Sequence, residues 1–380
     1  MKNLILLGIF NYCIIVSAFA QTQRSGTVSV AKNTGTQTVQ SPSKISLHGE
    51  IMGKSVPDDS IFFVTGGINR KYYDSPIPPA RITANSFNVE TNISYPQMRR
   101  ILLKSDRGKR TYRRGEYFID ASTSSIAVDY VVEECNLGNG TNDIEYRTKF
   151  IPSFYPANAA IDCHERSFDE LAWDKALKFD STLHKYVKAN PTSYVALWSL
   201  IERFSKFGHT QLREKILTSF SKSIQSTRLW QTLNDDMKKA LIKQGAVFPQ
   251  ISVKGASQPE HLLVLPKVQY TLVDFWFCRC KPCIESFPAL KKLYAAYQGK
   301  GFELVSISTD RTQEVPLWQK RIIEFELPWP QYLDENAVAA SKLDIYSYPS
   351  TFLLDHNGKV LMKDVTPEFL EKFLADKLMK

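Results

Sequence analysis

Three cysteines fall within six positions of the stretch TLVDFWFCRCKPCIESFPAL, residues 271–290: Cys278, Cys280 and Cys283. Thiols so close together can hold a soft metal ion, staple a fold, or exchange electrons with the cysteines of another protein. The compartment, the surrounding elements and the chemistry of each residue bear on the choice.

Residues 1–20, MKNLILLGIFNYCIIVSAFA, have the form of a secretory signal peptide. Lys2 supplies the positive n-region, Leu4 to Val16 is almost wholly apolar, and Ala18-Phe19-Ala20 is a small-x-small cleavage site. The alternative is an uncleaved N-terminal anchor, but the apolar run is short against the ~20 residues a span needs. Tyr12 is too bulky to precede a lipidated cysteine at Cys13. Without Lys2, the 48 basic residues become 47 against 39 acidic ones, a net +8. These charges are spread along the chain, as on a solvated surface or one attracted to an anionic envelope, and are not massed for nucleic acid. Without Cys13, five of the six cysteines remain. Export permits disulfides, but five are few to staple a chain of this length, so at least some serve reactivity.

The rest of the chain divides by texture. Residues 21–43 are rich in Ser, Thr, Gln and Gly and read as a flexible leader. Residues 44–155 carry short alternating runs such as ISLHGEI and SIFFV, punctuated by Pro78-Pro79 and Gly138-Asn139-Gly140, and predict an all-β domain. Residues 156–245 show helical spacing and predict an α-helical segment, with Asn190-Pro191-Thr192-Ser193 breaking one helix and capping the next. His164, His184 and His209 lie here without ligand spacing and read as surface or interhelical residues. Residues 246–380 alternate buried strands with helices: YTLVDFWF, a helix over Lys281 to Tyr297, FELVSIS, the helix VPLWQKRIIEFE, a short strand PQYLD, and the helix NAVAASKLD. A hairpin of STFLLD and KVLMKDV follows, turning at Asn357-Gly358, then a last helix with Thr366 as N-cap and Pro367 at its first position. This order predicts an α/β sheet with a terminal antiparallel hairpin.

Residues 270–380 resemble the thioredoxin superfamily, and in detail the exported TlpA/ResA-like thiol-disulfide oxidoreductases. The resemblance is carried by Val273-Asp274-Phe275-Trp276, Cys280-Lys281-Pro282-Cys283, Pro288, and Tyr348-Pro349-Ser350-Thr351-Phe352, with LPWPQYLD at 327–334 similar to that family's insert. The preceding β domain and helical segment resemble the N-terminal regions of related Gram-negative proteins. The resemblance implies a periplasmic protein disulfide reductase of thioredoxin-like fold. Its partners would be exported proteins with disulfides and an upstream thiol reductant, with no nucleic acid, no metal and no small-molecule cofactor.

The chemistry of the residues fits. Cys280 lies at the first turn of a helix, where unpaired N–H groups and the dipole favour a thiolate and lower its pKa below the ~8.5 of a free cysteine. Arg279 and Lys281 add positive charge, and Pro282 suits an early helical position. Cys283, three residues on, can close a disulfide back to Cys280; Cys280 would attack a substrate disulfide and Cys283 resolve the mixed one. Asp274, between apolar neighbours, would have a raised pKa and relay the Cys283 proton, the part the matching Asp takes in thioredoxins. The alternative is that it caps a backbone group. The resemblance makes Trp276 the active-site tryptophan, a lid over the thiols, with ordinary core as its alternative. It also implies a cis bond at Tyr348-Pro349, presenting the Tyr348 backbone to an incoming peptide.

Departures from the family are Arg279 where Trp is frequent, Ser286 where relatives often have Glu, and Cys278. The last predicts a packed, reduced thiol, since three thiolates make a poor structural zinc site. Two rival functions stand beside the reductase. One is a peroxiredoxin-like peroxidase, which lacks its upstream hydroxyl in WFCRCKPC. The other is an envelope binding or assembly protein with an accessory redox domain. Cys135 and Cys163 are expected to pair and tie the β domain to the helices.

Overall fold

The computed structural model describes residues 42–52, 58–65, 68–74, 76–104, 116–129, 136–154, 173–255 and 259–379. The signal peptide, nearly all of the leader, and Cys135 and Cys163 with their expected disulfide lie outside the described residues.

Period-two burial builds the N-terminal region. Along Ser43–Met52, Ile45, Leu47 and Ile51 turn inward while their neighbours face water. This strand joins a four-stranded sheet in the order Ser86–Ile93, Ser43–Met52, Ser125–Asp129, Asn136–Gly138; a second sheet runs Ala80–Arg81, Ser60–Val64, Gln97–Leu103, Glu116–Ile119. Their inner faces share one apolar core, with Leu47, Phe87 and Val89 from the first sheet against Ile61, Ile101 and Leu103 from the second. Gly49 is required here: a Cβ on it would stand 1.9 Å from the Phe87 ring.

The structure corrects the boundary of the helical segment. Residues 141–154 are helical (Thr141–Glu145, Tyr146–Phe150, Ile151–Phe154), where the all-β reading ran to 155. Tyr146, Phe150 and Phe154 recur every four residues and meet in series, stacked at the first step and tilted at the second, and Phe150 meets the Tyr186 ring edge-on at 5.0 Å. The helices Trp173–Ala189, Tyr194–Phe207, Gln211–Thr218 and Arg228–Lys239 follow, the second capped by Ser193 as expected. They share a core with the β region: Tyr72, Tyr95, Met98 and Phe118 pack in one cluster with Leu183, Val187 and Leu200. Trp198 joins that cluster, meeting the Tyr73 ring at 4.7 Å and donating its indole N–H to Pro96 C=O at 2.7 Å. Within the helices, Asp180 is held by Arg203 at 2.9 Å and Arg213 at 2.7 Å, all three buried.

The C-terminal domain is a seven-stranded sheet in the order Glu260–Leu262, Ser252–Gly255, Gln331–Leu333, Phe302–Ser308, Tyr270–Trp276, Ser350–Asp355, Val360–Lys363. The strands Ser252–Gly255 and Glu260–Leu262 were not anticipated, being too short to show a period. Tyr270–Trp276 is central, parallel to Phe302–Ser308 and antiparallel to Ser350–Asp355. Alternation sends Val273 and Phe275 to one face, under Ala340 and Ile345. Leu272, Asp274 and Trp276 point to the other, which the helices Lys281–Tyr297 and Pro367–Leu378 cover through Phe287, Leu290, Leu370 and Leu374. Truncating one such buried Leu to Ala typically costs about 2–5 kcal/mol. The helical segment runs directly onto the outer strand, with Gly245 N–H bonding Val360 C=O at 2.8 Å and Gln244 Nε2 bonding Leu361 C=O at 3.1 Å. No helix among the described residues is long and apolar enough to cross a membrane.

Candidate active site

The central strand ends at Trp276, and a turn over 277–280, closed by Cys280 N–H on Phe277 C=O at 2.9 Å, delivers the chain to the helix Lys281–Tyr297. Cys280 is the N-cap of that helix, one position before the first turn where it was expected. Its sulfur accepts the Cys283 N–H at 3.3 Å, and Pro282 occupies a position where no N–H is missed. Cys280 and Cys283 form a disulfide with Cα atoms 5.3 Å apart. Both cysteines are buried, Cys280 with 3% of its surface exposed and Cys283 with 1%.

Asp274 is buried on the face that the active-site helix covers. Burial pushes its carboxyl up to about 7, opposed by a hydrogen bond from Ser306 at 2.9 Å. Ser306 stands opposite Asp274 on the neighbouring parallel strand, and its oxygen receives the Trp329 indole N–H at 2.8 Å. Since an indole only donates, the Ser306 proton is directed to Asp274. Ser306 was not singled out from the sequence, and Trp329 was noted only within the LPWPQYLD insert. Strand register and a partner 23 residues away were needed to see them.

Trp276 is corrected. It is fully buried and packs edge-on against Phe287 at 5.2 Å, in the apolar cluster that also holds Cys280 and Cys283, so it is core and not a solvent-facing lid. Its parity along the strand, shared with Leu272 and Asp274, dictates this. The ring beside the turn is instead Phe277, part-exposed and edge-on to Tyr348 at 5.4 Å. Tyr348-Pro349 is a cis peptide, as the resemblance implied. Tyr348 packs on the apolar cluster that holds Cys280 and Cys283.

The two basic residues point to solvent and meet acids. Arg279, with 66% of its side chain exposed, binds Glu314 at 3.0 Å; Lys281, with 86% exposed, faces Glu285 at 3.7 Å. Solvent and these partners weaken their pull on the thiolate. Ser286 donates to Cys283 C=O at 2.7 Å. Cys278 is a buried free thiol, pushed up to about 12 by desolvation and a hydrogen bond to Asp310, hence protonated and inert as expected of a packed cysteine. Among the described residues no group of His, Cys, Asp or Glu is arranged to hold a metal ion.

The AhpC/TSA family model matches residues 245–363. These residues form a thioredoxin-like domain. Over 105 residues it is 29% identical to the thiol-disulfide oxidoreductase ResA of Bacillus thuringiensis, covering 27% of this chain and 60% of the relative. Over 108 residues it is 32% identical to ResA of Oceanobacillus iheyensis, covering 28% and 55%. The chain therefore spans between half and two thirds of the length of these relatives. The thioredoxin-like domain is also 32% identical to the solved thioredoxin domain of a thiol-disulfide oxidoreductase from Bacteroides vulgatus, covering 36% of this chain and 97% of that one, with a TM-score of 0.32.

Proposed function

We propose that this protein is an exported thiol-disulfide oxidoreductase that reduces the disulfides of other exported proteins, in the periplasm of a Gram-negative cell. The observation that carries the reading is a disulfide at a helix N-terminus with a buried carboxylate on the strand face behind it. In the reduced form, the Cys280 thiolate, supported by the helix end and the Cys283 N–H, attacks one sulfur of a substrate disulfide and expels the other as a thiolate. Cys283 then loses its proton to Asp274 and attacks the Cys280 sulfur. The substrate leaves as a thiol and the Cys280–Cys283 disulfide forms, two electrons having passed to the substrate. A carboxyl titrating at about 7 can take and return a proton near neutral pH. The oxidised pair then requires an upstream thiol reductant. The part-exposed Phe277–Tyr348 pair beside the turn offers an apolar platform for the incoming peptide.

The peroxidase reading draws on the AhpC/TSA match but lacks the upstream hydroxyl, the residues before Cys280 being Phe277, Cys278 and Arg279. The test is the reduction potential together with turnover of insulin disulfides by the full mature chain. The expected potential lies between the ~−270 mV of thioredoxin and the ~−180 mV of the disulfide isomerase, with robust turnover. A value near the ~−120 mV of the strong periplasmic oxidant, or peroxide turnover without insulin reduction, overturns the reading.

A further inference from the structure

The turn that delivers Cys280 is gripped from an element the mechanism above does not use. Inside the turn, the Cys278 N–H is received by both carboxylate oxygens of Asp310, at 3.2 and 2.9 Å. Asp310 follows the end of the strand Phe302–Ser308 and is 1% exposed. Ser308 donates its hydroxyl to Asp310 Oδ2 at 2.5 Å and accepts the Asp310 N–H at 3.2 Å, while Asp310 C=O takes the Asn336 N–H at 2.9 Å. The Cys278 thiol also bonds the carboxylate. The groups bonded to the carboxylate, an amide, a hydroxyl and a thiol, are therefore neutral. The charged and titratable groups facing this corner are Glu314 and Arg279, which bind each other, and Asp334 with the Tyr348 phenol.

We propose that Asp310 is a positioning residue that sets the potential of the Cys280–Cys283 couple. It fixes the turn through the Cys278 N–H and places a buried carboxyl, which desolvation pushes above its usual range, against the residue two before the attacking Cys280. This rests on the reading of that pair as redox-active. Two residues of chain span at most about 7 Å, and a charge in a dry corner is poorly screened. A carboxylate there opposes the Cys280 thiolate that the helix end favours. Raising the free energy of the reduced form makes the couple more reducing, the inverse of the strong oxidant whose reduced form is stabilised. The design offsets the oxidising tendency of an N-cap thiolate without altering the C-x-x-C motif itself.

The test equilibrates the full chain with glutathione and glutathione disulfide, where one protein dithiol and one glutathione disulfide give one protein disulfide and two glutathiones. The reduced fraction is read by alkylation and mass shift, and the Cys280 thiolate is titrated separately by its rate of alkylation against pH. Asp310→Asn, neutral and close in shape, is expected to move the equilibrium about tenfold toward the dithiol, or ~30 mV, and to lower the Cys280 pKa. Cys278→Ala, which keeps the carboxylate and the N–H, is expected to leave both within about threefold of wild type. Should Asp310→Asn not fold, Asp310→Ser keeps an oxygen near the turn without the charge and carries the same expectation. An unchanged equilibrium, or a shift toward the disulfide, overturns the proposal. A strongly oxidising wild-type couple contradicts the reductase reading and not this one, which is decided by the sign of the shift on neutralising Asp310.

Discussion

The hydroxyl of Ser306 lies 2.9 Å from the carboxylate of Asp274 on adjacent parallel strands, with the Trp329 indole fixing the direction of its proton. Among the described residues, Ser306 is the side-chain donor to Asp274. On the proposed mechanism Asp274 serves the deprotonation of Cys283 and not the attack by Cys280, so Asp274→Asn should separate the two steps. Stopped-flow with a model disulfide is expected to show resolution slowed by about 10²-fold or more, the usual size of a lost general base, with attack changed by less than about threefold. Ser306→Ala removes the donor that favours the ionised form, and should move the pH profile of resolution upward. Equal slowing of both steps by Asp274→Asn would mean that it acts through general stability.

The same carboxyl burdens the fold. Its folded pKa is raised from 3.8 to about 7, so the stability it contributes is fully present below pH ~4 and is lost as pH rises through about 7. A rise of that size bounds the effect at about 4 kcal/mol. Asp274→Asn should therefore exceed wild type in stability by up to that amount at pH 8, with the advantage gone at pH 4, as read by urea denaturation. An equal difference at both pH values would contradict the raised pKa. Higher stability with slower resolution is the expected trade at such a site.

Trp276 gives a third expectation. Its indole N–H is buried, and among the described residues it has no hydrogen-bond partner. Trp276→Phe loses apolar contact but also removes an unsatisfied donor that costs about 1–3 kcal/mol, so the net change in stability should stay within about 1.5 kcal/mol. As a core residue it should leave the KM for insulin unchanged. A severalfold rise in KM at unchanged stability would restore the lid.

Much of this site could be read from the chain. The burial of Asp274 follows from its apolar neighbours, the helix start from Cys280-Lys281-Pro282, and the last helix from Thr366-Pro367, since these signals are local. What escaped depends on distant partners. Ser306 and Trp329 matter only through strand register, and the parity that buries Trp276 shows only when Asp274 and Leu272 are seen to share its face. Arg279 and Lys281 read as tuning charges until Glu314 and Glu285 are placed beside them. The helix over 141–154 was hidden by Thr141, Asn142 and Pro152, and is held by a run of packed rings that find Tyr186 in a later helix.

On the proposed mechanism Cys280 attacks and Cys283 resolves. Cys283→Ala removes only the second step, so the full chain expressed in its own host and isolated under acid quench should accumulate mixed disulfides through Cys280. Dithiothreitol should release exported, cysteine-containing proteins from them. Adding Cys280→Ser should abolish the adducts, because the hydroxyl cannot exchange with a disulfide. Adducts that persist in the double variant would assign the attack to Cys278, and adducts from neither variant would contradict the oxidoreductase account in favour of a binding protein.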